Sequence, residues 1–420
     1  MHPSSEISRL FPSLKMQQTL RPGKVRAEGF AIDIGSDTLR LDADSRIAQE
    51  FAMHQLLAAL QSNRLGDLVG ASSPLYEMRP LWIHGERPCT LPSGIEVNLP
   101  EFFVQSASQE IDLQVLHALV WQMYDLGFNT LVFAPLQGYS QKEERRTISS
   151  QALHKAFDFL RSLGIQIALH VSPASLSERR EIGDWRLFFS QVTVLFDAND
   201  FLFWQASDLF KEGFKPTKKE ATAFEKIEEE IAFLEKMNKC NLFYYLPCNN
   251  MDQAKDQTPW LLNLTTKISD KTILGFSASA GCPFYEQTIL HPIFHEISRL
   301  PLQFKGRFVH FLGVREYGTG EKIIADFPFC FVEKALGSQR GGRFYGAGCQ
   351  IRELTGTTSL PIGVLWAIGQ RMWRPLNTYG LFETWLLRYH RDLKNCLNEE
   401  FFELFQNVVV AQGRIDYVLV

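Results

Sequence analysis

Long apolar runs alternate with amphipathic segments along most of the chain. The run NTLVFAPL is followed by QALHKAFDFLRSLG, with apolar residues at helical spacing, and then by the apolar run IQIALHVSP. Five further apolar runs follow: FLFWQAS, NLFYYLPC, KTILGFSAS, RFVHFLGV and RFYGAGC. Continuous apolar strands indicate a sheet buried on both faces, and alternation with helices indicates parallel order. These seven runs predict a (β/α)₈ TIM-type barrel, with an open doubly wound sheet as the alternative.

The segments between the runs have the features of outer barrel helices. VLHALVWQMYDLGFN is predicted to end as a helix at Gly127, and the next helix at Gly164, because glycine is a common helix stop. The charged stretch KPTKKEATAFEKIEEEIAFLEKMNK keeps apolar residues at helical spacing. Its Glu and Lys side chains are therefore expected on a solvated helix face.

A smaller α/β unit is predicted before the barrel. VRAEGFAIDIG and DTLRLDA have the pattern of two short strands, and SRIAQEFAMHQLLAAL that of a helix. Residues before about 24 are expected to form a loosely attached arm, and the two prolines of SPLYEMRP to mark the crossing between domains. We therefore expect an arm and accessory domain over 1–80, and a barrel with C-terminal helices over 81–420.

Composition restricts the class of partner. Apolar residues make up 45% and charged residues 21% of the chain, which is typical of a globular protein. The net charge of -4 gives no general attraction for nucleic acid or anionic membranes. The seven cysteines lack the close spacing of a metal or redox motif. With no signal peptide and no membrane-length apolar run, the sequence predicts a cytoplasmic protein without metal or cofactor, whose oligomeric state stays open.

Polar residues that follow the predicted strands are candidates for a site, because barrel enzymes place their chemistry at the carboxyl ends of the strands. Asp208 and Glu316 follow two such strands and form the minimum acid and base pair of a glycosidase, although both could equally be ordinary charged loop ends. Glu286 lies in CPFYEQTILHPIFHE, together with His291 and His295, whose spacing of four lacks the rest of a zinc motif. The other candidates, predicted to bind substrate, are His170, Asn249, Arg315 and Tyr317.

Several segments, in order, resemble the α-glucuronidase family of glycoside hydrolases. YDLGFNTLVFAPL and LHKAFDFLRSLGIQIALHVSPAS resemble its first two barrel units, and FLFWQASDLF resembles the strand that ends in the general acid. RFVHFLGVREYGTG resembles the strand that carries a water-activating Glu, and GCQIRELTGTTSLPIGVLWAIGQRMWRP resembles a later segment of the family. The N-terminal unit is similar to the accessory domain before β-hexosaminidase barrels.

The resemblance implies a (β/α)₈ glycosidase that acts with inversion on a carbohydrate. Asp208 falls on the general acid, which is Glu in the family, and Glu316 falls on the water-activating Glu. Glu286 is the nearest substitute for the family's principal base, and Trp204 stands where the family has a uronate-binding Lys. This last difference predicts that neutral hexosides, or no glycoside at all, are cleaved in preference to glucuronides.

Two alternatives stay open. A barrel that has lost catalysis could bind a glycan or a protein partner. β-Hexosaminidase-like chemistry would require an Asp-Glu dipeptide at a strand end, which this sequence lacks.

Overall fold

The structure is a computed structural model. It describes residues 3–21, 28–35, 38–62, 65–84, 87–100, 103–104, 110–135, 146–173, 185–206, 222–248, 251–278, 290–300, 306–314, 336, 344–351, 362–373, 400 and 403–404.

A four-stranded sheet lies at the N-terminal end of the chain, in the order β1-β3-β2-β4. Its strands are β1 Lys15–Leu20, β2 Phe30–Ile34, β3 Thr38–Ala43 and β4 Gly70–Ser72. The predicted pair of strands corresponds to β2 and β3, but the prediction of a loose arm is wrong. Helix α1, Pro3–Leu10, precedes β1, and β1 pairs in parallel with β3. The sequence pattern missed β1 because KMQQTL is largely polar and lies at the exposed edge of its sheet.

Eight parallel strands form the closed barrel that the apolar runs predicted. Each barrel strand pairs with the next barrel strand along the chain. The last pairs with the first, with Gln350 opposite Trp82. The prediction missed one strand, PLWIH, because it is short and directly follows the presumed domain crossing. The barrel strands are β5 Pro80–His84, β8 Thr130–Ala134, β10 Gln166–Pro173, β11 Phe201–Gln205, β12 Asn241–Leu246, β13 Thr272–Ser277, β14 Gly306–Val314 and β15 Phe344–Ile351. The division into two domains near residue 80 stays a prediction.

A β-hairpin is inserted directly after the first barrel strand. It consists of β6, Arg87–Thr90, and β7, Ile95–Leu99, which pair antiparallel. The short strand β9, Arg146–Thr147, extends it on the side of β6. On its other side, β7 pairs antiparallel with the end of β10, so the hairpin stands at the carboxyl end of the barrel.

The helices within the described residues surround the barrel or cover the N-terminal sheet. Gly127, with a φ of 77°, ends one of them as predicted, and Gly164, with a φ of 80°, follows the end of the next. Their bounds after α1 are α2 Arg46–Ser62, α3 Leu113–Leu126, α4 Ser150–Ser162, α5 Trp185–Thr193, α6 Ala223–Met237, α7 Met251–Leu264, α8 Ile293–Arg299 and α9 Ile362–Trp373. None of those described has the length and apolar content that a membrane crossing needs.

The charged helix α6 agrees with the prediction of an outer barrel helix, with one exception. Thr222 and Glu225 form a reciprocal capping box at its start, which satisfies two backbone N–H groups. Glu230 is fully buried and accepts a hydrogen bond from the hydroxyl of Tyr244 on β12 (2.8 Å). The charged pattern therefore contains a fully buried carboxylate that anchors the helix to the barrel wall.

A buried arginine joins the N-terminal sheet to the lower end of the barrel. Arg79, which is 0% exposed, donates from Nη2 to Glu28 (2.6 Å) and from Nε to the carbonyl of Gly127 (2.7 Å). Its guanidinium also lies 5.0 Å from the ring centre of Trp373. Asn129 donates to both carboxylate oxygens of Glu28 and accepts from the backbone N–H of Arg79. We refer to these five residues as the Arg79 cluster.

Two glycines allow the barrel to close. A Cβ on Gly346 would lie 2.5 Å from the carbonyl oxygen of Met78, and one on Gly348 would lie 2.3 Å from that of Pro80. Any side chain at these positions would therefore push β15 away from the segment that begins the barrel. Gly346 and Gly348 thus have a packing role at the junction of the first and last barrel strands.

We expect Glu28→Gln to lower the free energy of unfolding by about 1–3 kcal/mol, since the amide keeps one acceptor but leaves a buried guanidinium without its charged partner. Chemical denaturation of the full chain measures this. Glu6→Gln is the matched control, because Glu6 meets Arg9 at the same 2.6 Å on an exposed helix, where ion pairs contribute little. Equal effects of the two changes would contradict the assigned role of the cluster.

Candidate functional site

The eight barrel strands are parallel, so their carboxyl ends meet at one rim, which we call the mouth. The described residues near it come from the strand ends and from the inserted hairpin. Strand alternation divides the side chains between the barrel interior and the layer under the helices. The interior cluster contains Trp82, Phe203, Phe243, Tyr245 and Phe311.

Aromatic rings fill the barrel below the mouth. Trp82 is surrounded edge to face by Phe203 (4.9 Å), Tyr245 (4.8 Å) and Phe311 (5.4 Å), measured between ring centres. Its indole Nε1 donates to the carbonyl of Ala134 (2.9 Å). Burial raises the pKa of Tyr245, so its phenol stays neutral at physiological pH. The interior is therefore a packed aromatic floor under the mouth.

The hairpin contributes polar groups to one side of the mouth. Val97 pairs with Val171 on β10, which places Asn98 next to His170. Asn98 Nδ2 and His170 Nδ1 are 2.8 Å apart, and both residues are buried. Glu96 is also buried, and its register partner on β10 is Ser172. A carboxylate, a carboxamide and an imidazole are thus held at neighbouring register positions by regular strand pairing.

Three further polar residues lie at the ends of other barrel strands. Gln205, at the end of β11, donates from Nε2 to the carbonyl of Pro135. Ser277 is the buried last residue of β13, and Gln350 is buried near the end of β15. Hydrogen-bonding side chains over an aromatic floor are the general composition of a small-molecule site.

Two of the sequence-predicted site residues lie within the described part of the chain. The structure brings them together, because the rings of His170 and Trp204 are 6.0 Å apart. Trp204 is fully buried and belongs to the layer between strands and helices, where Phe189 of α5 lies 6.5 Å away. Contact of either residue with a ligand stays a prediction. Asp208, Asn249, Glu286, Arg315, Glu316 and Tyr317 lie outside the described residues.

His291, the first of the two histidines with metal-ligand spacing, is buried in an apolar environment, and His295 is exposed. His291 is buried against Phe276, and its Nδ1 accepts from the backbone N–H of Ile293 (3.2 Å). Burial lowers the pKa of His291 to about 4, so it stays neutral at physiological pH. Among the described residues, no group of three or more His, Cys, Asp or Glu is placed to hold a metal ion.

The sequence pattern missed the hairpin residues Glu96 and Asn98. IEVNL has the alternation of a strand, with Ile95, Val97 and Leu99 in the apolar cluster and the two polar residues between them. That alternation was a usable signal. It identifies a strand with one polar face, but only the pairing of β7 with β10 places that face beside His170.

No family model matches the chain, and no curated protein matches its sequence. Solved structures do resemble its fold. One is a family 89 glycoside hydrolase from Clostridium perfringens in complex with its substrate GlcNAc-alpha-1,4-galactose, with a TM-score of 0.51 and 12% identity over 92% of this chain and 50% of that one. A second is a family 138 glycoside hydrolase targeting pectin rhamnogalacturonan II. Its TM-score is 0.51, with 10% identity over 95% of this chain and 50% of that one.

A Streptomyces plicatus β-hexosaminidase in complex with its product GlcNAc gives a TM-score of 0.50 and 10% identity over 94% of this chain and 89% of that one. The chain spans about half the length of the first two proteins. At these identities the likeness shows a shared fold, the TIM barrel. The likeness does not single out the α-glucuronidase family, so that assignment stays a prediction.

We expect Trp82→Phe to lower the free energy of unfolding by about 1–3 kcal/mol, because it leaves the Ala134 carbonyl without its donor and a void among three rings. Thermal and chemical denaturation measure the effect. Trp121→Phe is the matched control, since Trp121 donates to His117 (2.8 Å) on the outer face of α3. Similar losses in both variants would contradict a packed interior around Trp82.

Proposed function

We propose that this chain is a glycoside hydrolase-like barrel that cleaves a glycosidic bond by an inverting acid and base mechanism. The observation that carries the proposal is the mouth itself, where the Asn98–His170 pair and Gln205 lie near the carboxyl ends of strands whose barrel interior holds the rings of Trp82 and Tyr245. Carboxamide and imidazole groups suit sugar hydroxyls, and aromatic surfaces suit the apolar faces of sugar rings. The shared fold with glycoside hydrolases supports this assignment without fixing it.

The position of the carboxylates in the chain also supports the proposal. Asp208 follows the last residue of β11, Gln205, by three positions, and Glu316 follows the last residue of β14, Val314, by two. The two strands are parallel, so both end at the mouth. Barrel enzymes place their catalytic residues after the strand ends in this way.

In the proposed mechanism, Asp208 protonates the leaving oxygen while Glu316, with Glu286, activates a water on the opposite face of the sugar. Inversion requires roughly 6.5–9.5 Å between the two carboxyl groups, to leave room for that water. The acid must remain protonated near neutral pH, which apolar surroundings favour. Arg315 would help to keep Glu316 ionised. Asn249 and Tyr317 complete the proposed substrate contacts.

The proposal includes a likeness to α-glucuronidases and a cytoplasmic location. The alternative is a barrel that binds a glycan or a protein partner without cleaving it, and a chain that cleaves no glycoside would favour that alternative.

We expect Asp208→Asn to lower turnover of a cleaved aryl glycoside about 10²–10⁴-fold, since the amide cannot donate a proton to the leaving group. A panel of 4-nitrophenyl hexosides identifies the substrate and gives the rates. Asp252→Asn is the control, because Asp252 is an exposed carboxylate on α7. Unchanged turnover in Asp208→Asn would reject Asp208 as the acid, and no turnover of any glycoside by the natural chain would reject the enzymatic proposal.

We also expect 4-nitrophenyl α-glucuronide to be cleaved more slowly than the best neutral hexoside. Trp204 stands where α-glucuronidases have a Lys, so a buried uronate would lack its charge partner. The ratio of kcat/KM values for the two substrates measures the preference. A glucuronide preferred over all neutral hexosides would show that another cation replaces that Lys.

A further inference from the structure

We propose that a cavity between the first turns of α3 and α4 binds one sugar unit of a neutral carbohydrate, at a second site apart from the mouth. The choice of a carbohydrate among neutral polar ligands rests on the proposed function. The site itself, and its preference for a neutral ligand, rest on the residues that line the cavity.

The cavity has the size and layering of a site for a small polar molecule. Its volume is about 430 Å³, and small-molecule sites in proteins measure roughly 300–1,000 Å³. The apolar part of the lining comes from Ile111, which is buried, and from Leu113 and Ala152, which are half-buried. The polar part is more exposed. A sugar ring has an apolar face and hydroxyls at its edge, which suits this arrangement.

Backbone contacts with the hairpin hold both sides of the cavity in place. On the side of α3, Ile111 forms an antiparallel bridge with Val104, which follows β7. On the side of α4, the backbone N–H of Ile148, next to the lining residue Ser149, donates to the carbonyl of Thr90 at the end of β6 (3.1 Å). A ligand would therefore enter a preformed space, which lowers the ordering cost of binding.

The exposed part of the lining carries uncommitted hydrogen-bonding groups. They belong to Gln114, Gln151 and Lys155. Within the part of the chain that the structure describes, these three side chains make no hydrogen bond or ion pair. A carboxamide both donates and accepts, as a sugar hydroxyl does, so two glutamines can bind adjacent hydroxyls in either sense. They can also be replaced without loss of an internal contact.

The charges around the cavity disfavour an anion. Asp112 Oδ1 accepts from the backbone N–H of Gln114 (2.9 Å), and Ser149 Oγ accepts from that of Ala152 (3.0 Å). These caps already satisfy N–H groups that a phosphate at a helix start would bind. Glu110 also lines the cavity, so an anion would meet two carboxylates against one ammonium among the described lining residues. A neutral ligand with hydroxyls avoids that repulsion.

Side-chain amide spectra test the site directly. In the full chain labelled with ¹⁵N at glutamine, the NH₂ signals of Gln114 and Gln151 are identified by their loss in the two alanine variants. Titration with free glucose, galactose or N-acetylglucosamine should shift both signals for at least one sugar, with half-saturation on the order of 1–10 mM. In the same spectra Gln205 reports on the mouth, and Gln191 on α5 is the reference.

Two results of that titration would overturn the proposal. One is the lack of a saturable shift at Gln114 and Gln151 with any of the three sugars. The other is a saturable shift with inorganic phosphate in place of the sugars, which would make the cavity an anion site.

Ala152→Trp tests the location, because the indole should fill the cavity and remove the response of Gln114 to the sugar. Ala232→Trp is the matched control, since Ala232 is an exposed alanine on the outer helix α6, and it should leave that response unchanged. If Ala152→Trp does not fold, Gln151→Ala replaces it and should raise the half-saturating sugar concentration about 3–10-fold. An unchanged response of Gln114 in the variant tested would reject the cavity as the site.

Turnover separates this site from the proposed function. A 4-nitrophenyl hexoside carries one sugar, which the mouth should bind, so Ala152→Trp should leave kcat/KM for the fastest-cleaved hexoside within about twofold of the natural chain. A loss of about tenfold or more would mean that the cavity is part of the mouth, and would overturn the second site. If no glycoside is cleaved, the proposed function fails, while the titration still decides whether the cavity binds a sugar.

Discussion

The Arg79 guanidinium is a cation removed from water at the place where the N-terminal sheet meets the barrel. Its charge can stay there only because Glu28, the Gly127 carbonyl and the Trp373 ring surround it. These partners come from distant parts of the sequence: the turn before β2, the end of α3 and the end of α9. Each contributes to compensating the cation, so this one electrostatic requirement links the N-terminal sheet to the start of the barrel.

Strand alternation imposes the second constraint, because it divides the same strands between two environments. One set of side chains packs under the helices, and the other fills the barrel with rings up to the mouth. Polar groups near the strand ends then need partners of their own. The hairpin supplies Asn98 for His170, and the Pro135 carbonyl accepts from Gln205. The mouth therefore has polar side chains near the strand ends, and the barrel interior below them is apolar.

Sequence reasoning found the features that depend on local patterns. Gly127 and Gly164 stand at helix ends as expected, and seven of the eight barrel strands are apolar runs of adequate length. It missed what depends on pairing across the chain. β1 is polar and stabilised by its parallel neighbour β3, and Glu230 is buried in a helix whose charges otherwise face solvent. The contact between Asn98 and His170 depends on a strand register that no local pattern encodes.

The junction between β15 and the start of the barrel has a consequence for how the chain folds. Gly346 and Gly348 lie against Met78 and Pro80, so the residues that meet there are separated by most of the sequence. Contacts of such long sequence separation form slowly, because the entropy of closing the intervening loop is lost before the contact stabilises it. During synthesis, the edge of the first barrel strand that pairs with β15 has no partner until β15 has emerged. An incomplete barrel therefore exposes an unpaired strand edge for most of translation, which is the period in which association with other chains is most probable.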